Sequence, residues 1–167
     1  MPETISQPKD LFLHHLKSVL FVEKTLADEV LPELLGNVQS PDLKKDIQHH
    51  LDETRQHVAN VKQCFQILGE QPEASKNEVL NGLGKEYHEG LRMIQGDAAL
   101  KDLFHTGVIA KNEHVEIAAY NGLIEMAKEM DEDDVANLLG ENLDQEEEAL
   151  SKAEKGMKKL LKEKVLA

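Results

Sequence analysis

Residues 12–34 read FLHHLKSVLFVEKTLADEVLPEL, and Phe12, Leu16, Val19, Glu23, Leu26, Val30 and Leu34 follow one another in steps of three and four. Such steps keep a row on one face of a helix. The row is apolar except for Glu23 at its centre. Residues 135–160, VANLLGENLDQEEEALSKAEKGMKKL, repeat the arrangement, with Glu146 on the row Val135, Leu139, Leu143, Glu146, Leu150, Ala153, Met157, Leu160. An ionised carboxylate that faces a core is costly unless something compensates it. Glu23 precedes Glu53 by 30 positions (53 − 23), and Glu116 precedes Glu146 by the same distance (146 − 116). Four such carboxylates, two from each half of the chain, point to a bound pair of metal ions.

Working outward, nearly all of the chain reads as helix. Pro8 suits a first turn, and the first helix is expected over about 8–35, with Pro32 kinking its end and Gly36-Asn37 stopping it. Ser40, Pro41 and Asp42 form a start signal for a second helix over about 41–68, which stops at Gly69. A third helix is expected over about 98–130 and a fourth over about 134–162, joined by a turn at Asp131–Asp133. The segment 70–96 differs, with Pro72 and four of the ten glycines, and part of it, roughly 76–94, is expected to be a shorter helix. About twenty helical residues span ~30 Å, the length of a bundle. The expected fold is therefore all-α: a single-domain four-helix bundle over 1–167, with a long, partly helical crossover between helices two and three.

Composition narrows the function classes. The 167 residues include 19 Lys+Arg and 32 Asp+Glu, a formal net charge of −13, which disfavours nucleic acid and anionic membranes as partners. Cys64 is the one cysteine, so neither an internal disulfide nor a zinc–thiolate cluster is expected, and a cytoplasmic location fits. The N-terminal MPETISQPKD carries no apolar signal segment, and no apolar run approaches the ~20 residues of a membrane span.

Helix two carries a polar row, Asp46, His50, Glu53, His57, Asn60, Cys64, beside its apolar one. His50, Glu53 and His57 are spaced so that all three can face one point. Helix three offers Glu113 and Glu116 one turn apart, with Tyr120 on the same side. Gathered in a bundle, Glu23, Glu53, Glu116 and Glu146 would share one level, with Glu113, His50 and His57 nearby. Imidazole nitrogen and carboxylate oxygen suit iron, manganese or zinc. Without metal, such carboxyls would hold protons through raised pKa values. Tyr120 reads as a core tyrosine whose hydroxyl bonds a carboxylate. His14, His15, His49, His88 and His114 read as surface residues.

Several stretches resemble the YciE/YciF-type ferritin-like proteins of bacteria: LFLHHL at 11–16, Glu23-Lys24, His50-Leu51-Asp52-Glu53-Thr54, and above all EHVEIAAY at 113–120. Leu138-Leu139 through Leu143 to Glu146 is similar to their last helix, and the likeness spans about residues 8–160. The resemblance implies a rubrerythrin-like bundle, commonly a homodimer, with a di-iron or di-manganese centre and an association with stress responses. It implies Glu23 and Glu116 as terminal ligands, Glu53 and Glu146 as bridging ones, and Glu113 as an additional carboxylate. The wider ferritin-like pattern places Glu-x-x-His on two helices. Here the corresponding positions are Gln56 and Ala149, and His57 stands one step further on.

Two functions are weighed at this level, beside a third option, a ferritin-style storage cage, for which the low aromatic content and dimer-like character do not argue. One is a dinuclear iron or manganese protein that reacts with peroxide or dioxygen. No Cys-x-x-Cys pair is present to deliver electrons, so a self-contained rubrerythrin peroxidase is not expected. The other is a non-enzymatic helical dimer that acts through protein partners and keeps a structural or vestigial metal site. The sequence does not identify catalytic residues or decide whether the protein is an enzyme.

Overall fold

In the computed structural model, which describes residues 4–166, the chain enters its first helix at Pro8. The Asp10 carboxylate receives the backbone N–H groups of Ser6 and Gln7, each at 3.0 Å, and so closes the N-terminus. Helix α1 spans Pro8–Thr25, passes through a π-helical turn, Leu26–Val30, and continues as α2, Leu31–Asn37. Pro32 explains the π turn. Proline has no N–H to donate and its ring crowds the carbonyl four residues back. Here the Leu31 N–H reaches instead to the Leu26 carbonyl, five residues back, and the helix absorbs the proline by widening.

Gly36-Asn37 was expected to stop this helix, and it does end at Asn37, but Gly36 stays helical and the next residue, Val38, is extended and fully buried. The stop is tertiary. The Asp102 carboxylate accepts the N–H groups of Gln39 at 2.9 Å and Ser40 at 2.6 Å, although it lies more than sixty residues away. Ser40 then caps α3, Pro41–Ile67, as its side chain accepts from the Leu43 N–H. Gly69, at φ +73°, provides the left-handed turn that ends α3.

The crossover helix α4, Glu78–Met93, lies within the expected 76–94. It is laid lengthwise along the bundle. At its start, Ser75 N–H donates to the Lys17 carbonyl and Asn77 bonds the Ser18 hydroxyl; further on, Tyr87 accepts from Asn37 and stacks on Phe104 with ring centres 6.1 Å apart. The chain is thus carried from the α3 C-terminus, where Lys9 pairs with Glu70, back to the end where Asp102 sits. Helix α5, Ala98–Glu129, starts there, turns at Asp131 (φ +60°), and α6 returns over Asp133–Leu160, followed by a π turn, Leu161–Val165.

Helices α1, α3, α6 and α5 neighbour one another in that cyclic order. This is the all-α, ferritin-like four-helix bundle with a crossover that the sequence predicted. Its interior is divided. One apolar cluster contains Phe12, Leu16, Val61, Phe65, Leu123 and Leu139; the other contains Leu26, Leu34, Leu43, Ile47, Leu51 and Ile109. Cys64 lies in the first, and burial pushes its thiol up to about 12, consistent with a core residue. Among the described residues no helix is long and apolar enough to cross a membrane. Met1–Glu3 of the polar N-terminal stretch, and Ala167, lie outside the described residues.

Asp102 holds the α2–α3 corner through charge-assisted bonds, each worth about 1.5–3 kcal/mol when it is made to an ionised group. Asp102→Ala is expected to lower the unfolding free energy in urea by about 2–3 kcal/mol, with Asp102→Asn retaining part of that stability.

Candidate metal centre

Between the two apolar clusters lies a polar layer. Glu23, His57 and Glu146 are fully buried, and His50, Glu113 and Glu116 are nearly so. Each comes from an inward row that begins and ends on apolar residues and turns polar at the level of the layer. On α5 the inward row is Ile109, Glu113, Glu116, Tyr120, Leu123, Ala127. On α6 it is Val135, Leu139, Asn142, Glu146, Ala149, Ala153, whereas Leu143 and Leu150, which the sequence row included, are only half-buried. Asn142 and Ala149 take the places expected for Leu143 and Leu150, while Val135, Leu139, Glu146 and Ala153 stay inward, so a fully buried Asn142 enters the layer.

The donors converge in two groups: Glu23, His57 and Glu146; and His50, Glu113 and Glu146. His57 Nδ1 is 2.9 Å from Glu146 Oε1 and 3.4 Å from Glu23 Oε2. His50 Nε2 is 3.3 Å from Glu113 Oε1 and 3.6 Å from Glu146 Oε2. Adjacent ligands of an ion held at ~2.1 Å stand about 3 Å apart, so the spacings match two ligand sets that share Glu146, one oxygen to each. The atoms are close without being aligned as hydrogen bonds. Glu23 Oε2, His57 Nδ1, Glu113 Oε2 and both oxygens of Glu146 and Glu116 are buried with no hydrogen-bond partner. Buried polar atoms are nearly always partnered, so this many orphans on converging side chains fit a cation, and oxygen with imidazole nitrogen fits iron or manganese.

A second set of contacts orients these groups. Gln56 donates to Asn60, Asn60 to Asn142 Oδ1 at 2.8 Å, and Asn142 to the Tyr120 oxygen at 3.0 Å. The Tyr120 hydroxyl, its oxygen already accepting, donates to Glu23 Oε1. That bond leaves Glu23 Oε2 toward His57, and it is the role read for Tyr120 from the sequence. Gln145 Oε1 lies 2.7 Å from His57 Nε2; with a proton there, the Nδ1 lone pair faces the carboxylates. Asn60 stood on the polar row read from the sequence, three residues after His57, whereas Asn142 and Gln145 were not picked out. Asn142 carried a signal, since it stands four residues before Glu146 and three after Leu139.

Glu53, expected beside the others as a bridging carboxylate, lies at the rim. One oxygen is 3.0 Å from the half-exposed His49, the other 3.8 Å from His50 Nδ1, and Glu53 belongs to neither converging group. Glu116 lies inside the layer as expected but, like Glu53, outside both groups. His14, His15, His49, His88 and His114 also stay outside them.

The electrostatics follow from burial. Burial, with the charges of Glu146, Glu23 and Glu113, pushes the Glu116 carboxyl well above the usual range. Burial raises Glu23, and it carries Glu146 up to about 7 despite the His57 contact. For His57, burial pulls down, but Glu146 and Glu23 outweigh it and raise the imidazole to about 10. For His50, burial likewise pulls down and is outweighed by Glu113, Glu53 and Glu146. On Glu53 the nearby histidines overcome burial and hold the carboxyl low.

Residues 7–166 match the family described as a domain of unknown function, DUF892. The chain is 26% identical to Protein YciF of Escherichia coli (strain K12) over 139 residues, which cover 83% of this chain and 82% of that protein. It is similar to the structure of YcfI from Rhodopseudomonas palustris, with 30% identity, a TM-score of 0.88 and coverage of 92% of this chain and 97% of that one. The crystal structure of the E. coli stress protein YciF shares the fold at a TM-score of 0.89, with 24% identity over 96% of this chain and 100% of that one.

The raised carboxyls make a prediction for the metal-free protein. A group whose pKa is higher folded than unfolded favours the fold below its unfolded pKa, and that contribution is lost as pH rises through its folded pKa. Unfolded Glu titrates at 4.5, and Glu146 titrates at about 7 when folded. His57 has the same sign over a higher window, from 6.5 to about 10. With chelator present, the Tm is expected to fall from pH 5 to pH 9. Glu116→Gln, which cannot ionise, is expected to gain on the wild type as pH rises, a difference thermal melts at each pH would register.

Proposed function

Starting from a chain that belongs to the DUF892 family, the YciE/YciF type, we propose that it is a dinuclear iron or manganese protein that reacts with peroxide or dioxygen. The observation that carries this reading is Glu146, whose two oxygens serve two separate sets of buried donors. Glu23 and His57 would hold one ion and His50 and Glu113 the other, with Glu146 available to both. Glu116 is the reserve carboxylate of the layer. Paired divalent ions, when bound, supply the electrons and the positive charge that an oxidant requires.

The chain's own residues do the rest. Apolar clusters on both sides exclude bulk water. Tyr120 holds Glu23 in place through its hydroxyl and carries the proton nearest that carboxylate. Glu116, with both oxygens unpartnered and its carboxyl raised by burial and neighbouring charge, can hold a proton inside the layer at neutral pH.

A second reading, a non-enzymatic helical dimer that acts through partners, is favoured by one observation. His57 and His50, charged, would stand beside Glu146, Glu23 and Glu113 as counter-ions and lessen the need for metal. Elemental mass spectrometry of protein expressed with iron and manganese separates the two readings. About two metals per chain are expected. Glu146→Ala is expected to lose both, and Glu53→Ala to keep at least the ion held by Glu23 and His57. No metal in the wild type would overturn the dinuclear reading. Peroxide consumption is expected to follow metal content across the variants.

A further inference from the structure

Along α6 the charges are sorted by position. From Asp131 to Ser151 the chain carries nine acidic residues and no basic one, whereas 152–164 hold six lysines and two glutamates. The outward row shows the change most plainly. Asp134, Glu141, Asp144 and Glu148 are exposed on it, and after Ser151 the same steps of three and four lead to Lys155, Lys158 and Lys162, also exposed. The helix dipole favours acids at a start and lysines at an end, but only within the first and last turn. Asp144 and Glu148 lie near the middle of Asp133–Leu160, beyond its reach. Within one copy the sorting is unfavourable. Like charges stand four apart at Asp144 and Glu148, at Lys155 and Lys159, and at Lys158 and Lys162. Lys159 finds Asp42 at 2.7 Å and Lys152 finds Glu148 at 2.8 Å, but among the described residues Glu141, Asp144, Lys155, Lys158 and Lys162 form no ion pair.

We propose that this outward face of α6 seats a second copy of the chain, laid antiparallel along it about a two-fold axis that passes between Glu148 and Ser151. Asp144 and Lys155 are equally far from that axis, and so are Glu141 and Lys158, so one register serves both. Asp144 then meets Lys155 and Glu141 meets Lys158 of the other copy, and the symmetry makes each pair twice. A parallel pairing would set acid on acid and lysine on lysine, so the pattern admits one direction only. At a net charge of −13 two copies repel each other over most approaches, and the lysine block is where that repulsion turns to attraction. The resemblance to YciE/YciF-type proteins implies a dimer without saying how it is built; the charges give it a face, a direction and a register, and they do so independently of any metal. Exposed ion pairs are individually weak and screened by salt, so the association is salt-sensitive.

Sedimentation velocity of the full chain over a range of concentrations, at about 50 mM and about 500 mM NaCl, tests the pairing. The wild type is expected to dimerise at low salt, with an apparent Kd weaker by about tenfold or more at the higher salt. Two double variants, Glu141→Lys with Asp144→Lys and Lys155→Glu with Lys158→Glu, make the face wholly basic or wholly acidic. Each alone is expected to sediment as a monomer where the wild type dimerises. Mixed together they are expected to form a heterodimer, and a chain with all four changes, whose charges have exchanged ends, is expected to dimerise again. All four positions are exposed, and circular dichroism with melting checks that the variants fold; the four-change chain still decides the matter if one double variant does not. A wild type that stays monomeric at low salt, or a dimer that both double variants keep, overturns the inference. Loss in both without recovery in the mixture or in the four-change chain overturns it as well. None of these outcomes touches the dinuclear reading, which metal content decides separately.

Discussion

Burial of carboxylates between two apolar clusters is the constraint around which this bundle is built. Ordinary four-helix bundles close on a continuous apolar core. Here Glu23, Glu113, Glu116 and Glu146 interrupt it, with His50 and His57 among them. Repulsion and desolvation of these groups would oppose folding if all were charged and uncompensated. Three forms of compensation are open to them: protons retained on raised carboxyls, imidazolium neighbours, and a cation that the clustered donors could hold. Which form prevails sets both the stability of the protein and its chemistry, because a group neutralised by a proton is the same group that a metal would displace that proton from.

The frame keeps this layer in register by contacts at a distance from it. Asp102 ties α5 to the α2–α3 corner, and the π turn before Pro32 lets one long helical run reach that corner without breaking. The crossover segment is tied to α1 through Ser18, to α2 through Asn37 and to α5 through Phe104. Inside, Asn60 and Asn142 pass a line of hydrogen bonds to Tyr120 and Glu23. Such supporting contacts decide which oxygen of a carboxylate is left free for a ligand.

The helices and their boundaries were legible because the local signals were strong: Pro8, the Ser40-Pro41-Asp42 start and Gly69 each act within a turn of themselves. Glu23 and Glu146 were legible because each is a lone carboxylate on an apolar row. Helix rotation was not. Glu53 lies about 40–60° around α3 from His57 and His50 by the 3.6-residue period, so a modest turn of the helix sends it to the rim while both histidines go inward. The same ambiguity put Leu143 on the inward row in place of Asn142. Asp102 left no pattern to read, because its partners are backbone groups of residues far earlier in the chain. The stop expected at Gly36-Asn37 falls at Asn37, with Gly36 helical and the Asp102 carboxylate holding the corner that follows.

The proposed function depends on Glu146 serving two cations at once. Diffraction from crystals grown with manganese, recorded at wavelengths on both sides of its absorption edge, tests this directly. Two anomalous peaks are expected to flank the Glu146 carboxylate, one beside Glu23 and His57 and the other beside His50 and Glu113. A crystal without anomalous density in that layer, with the histidines hydrogen-bonded to the carboxylates instead, would contradict it.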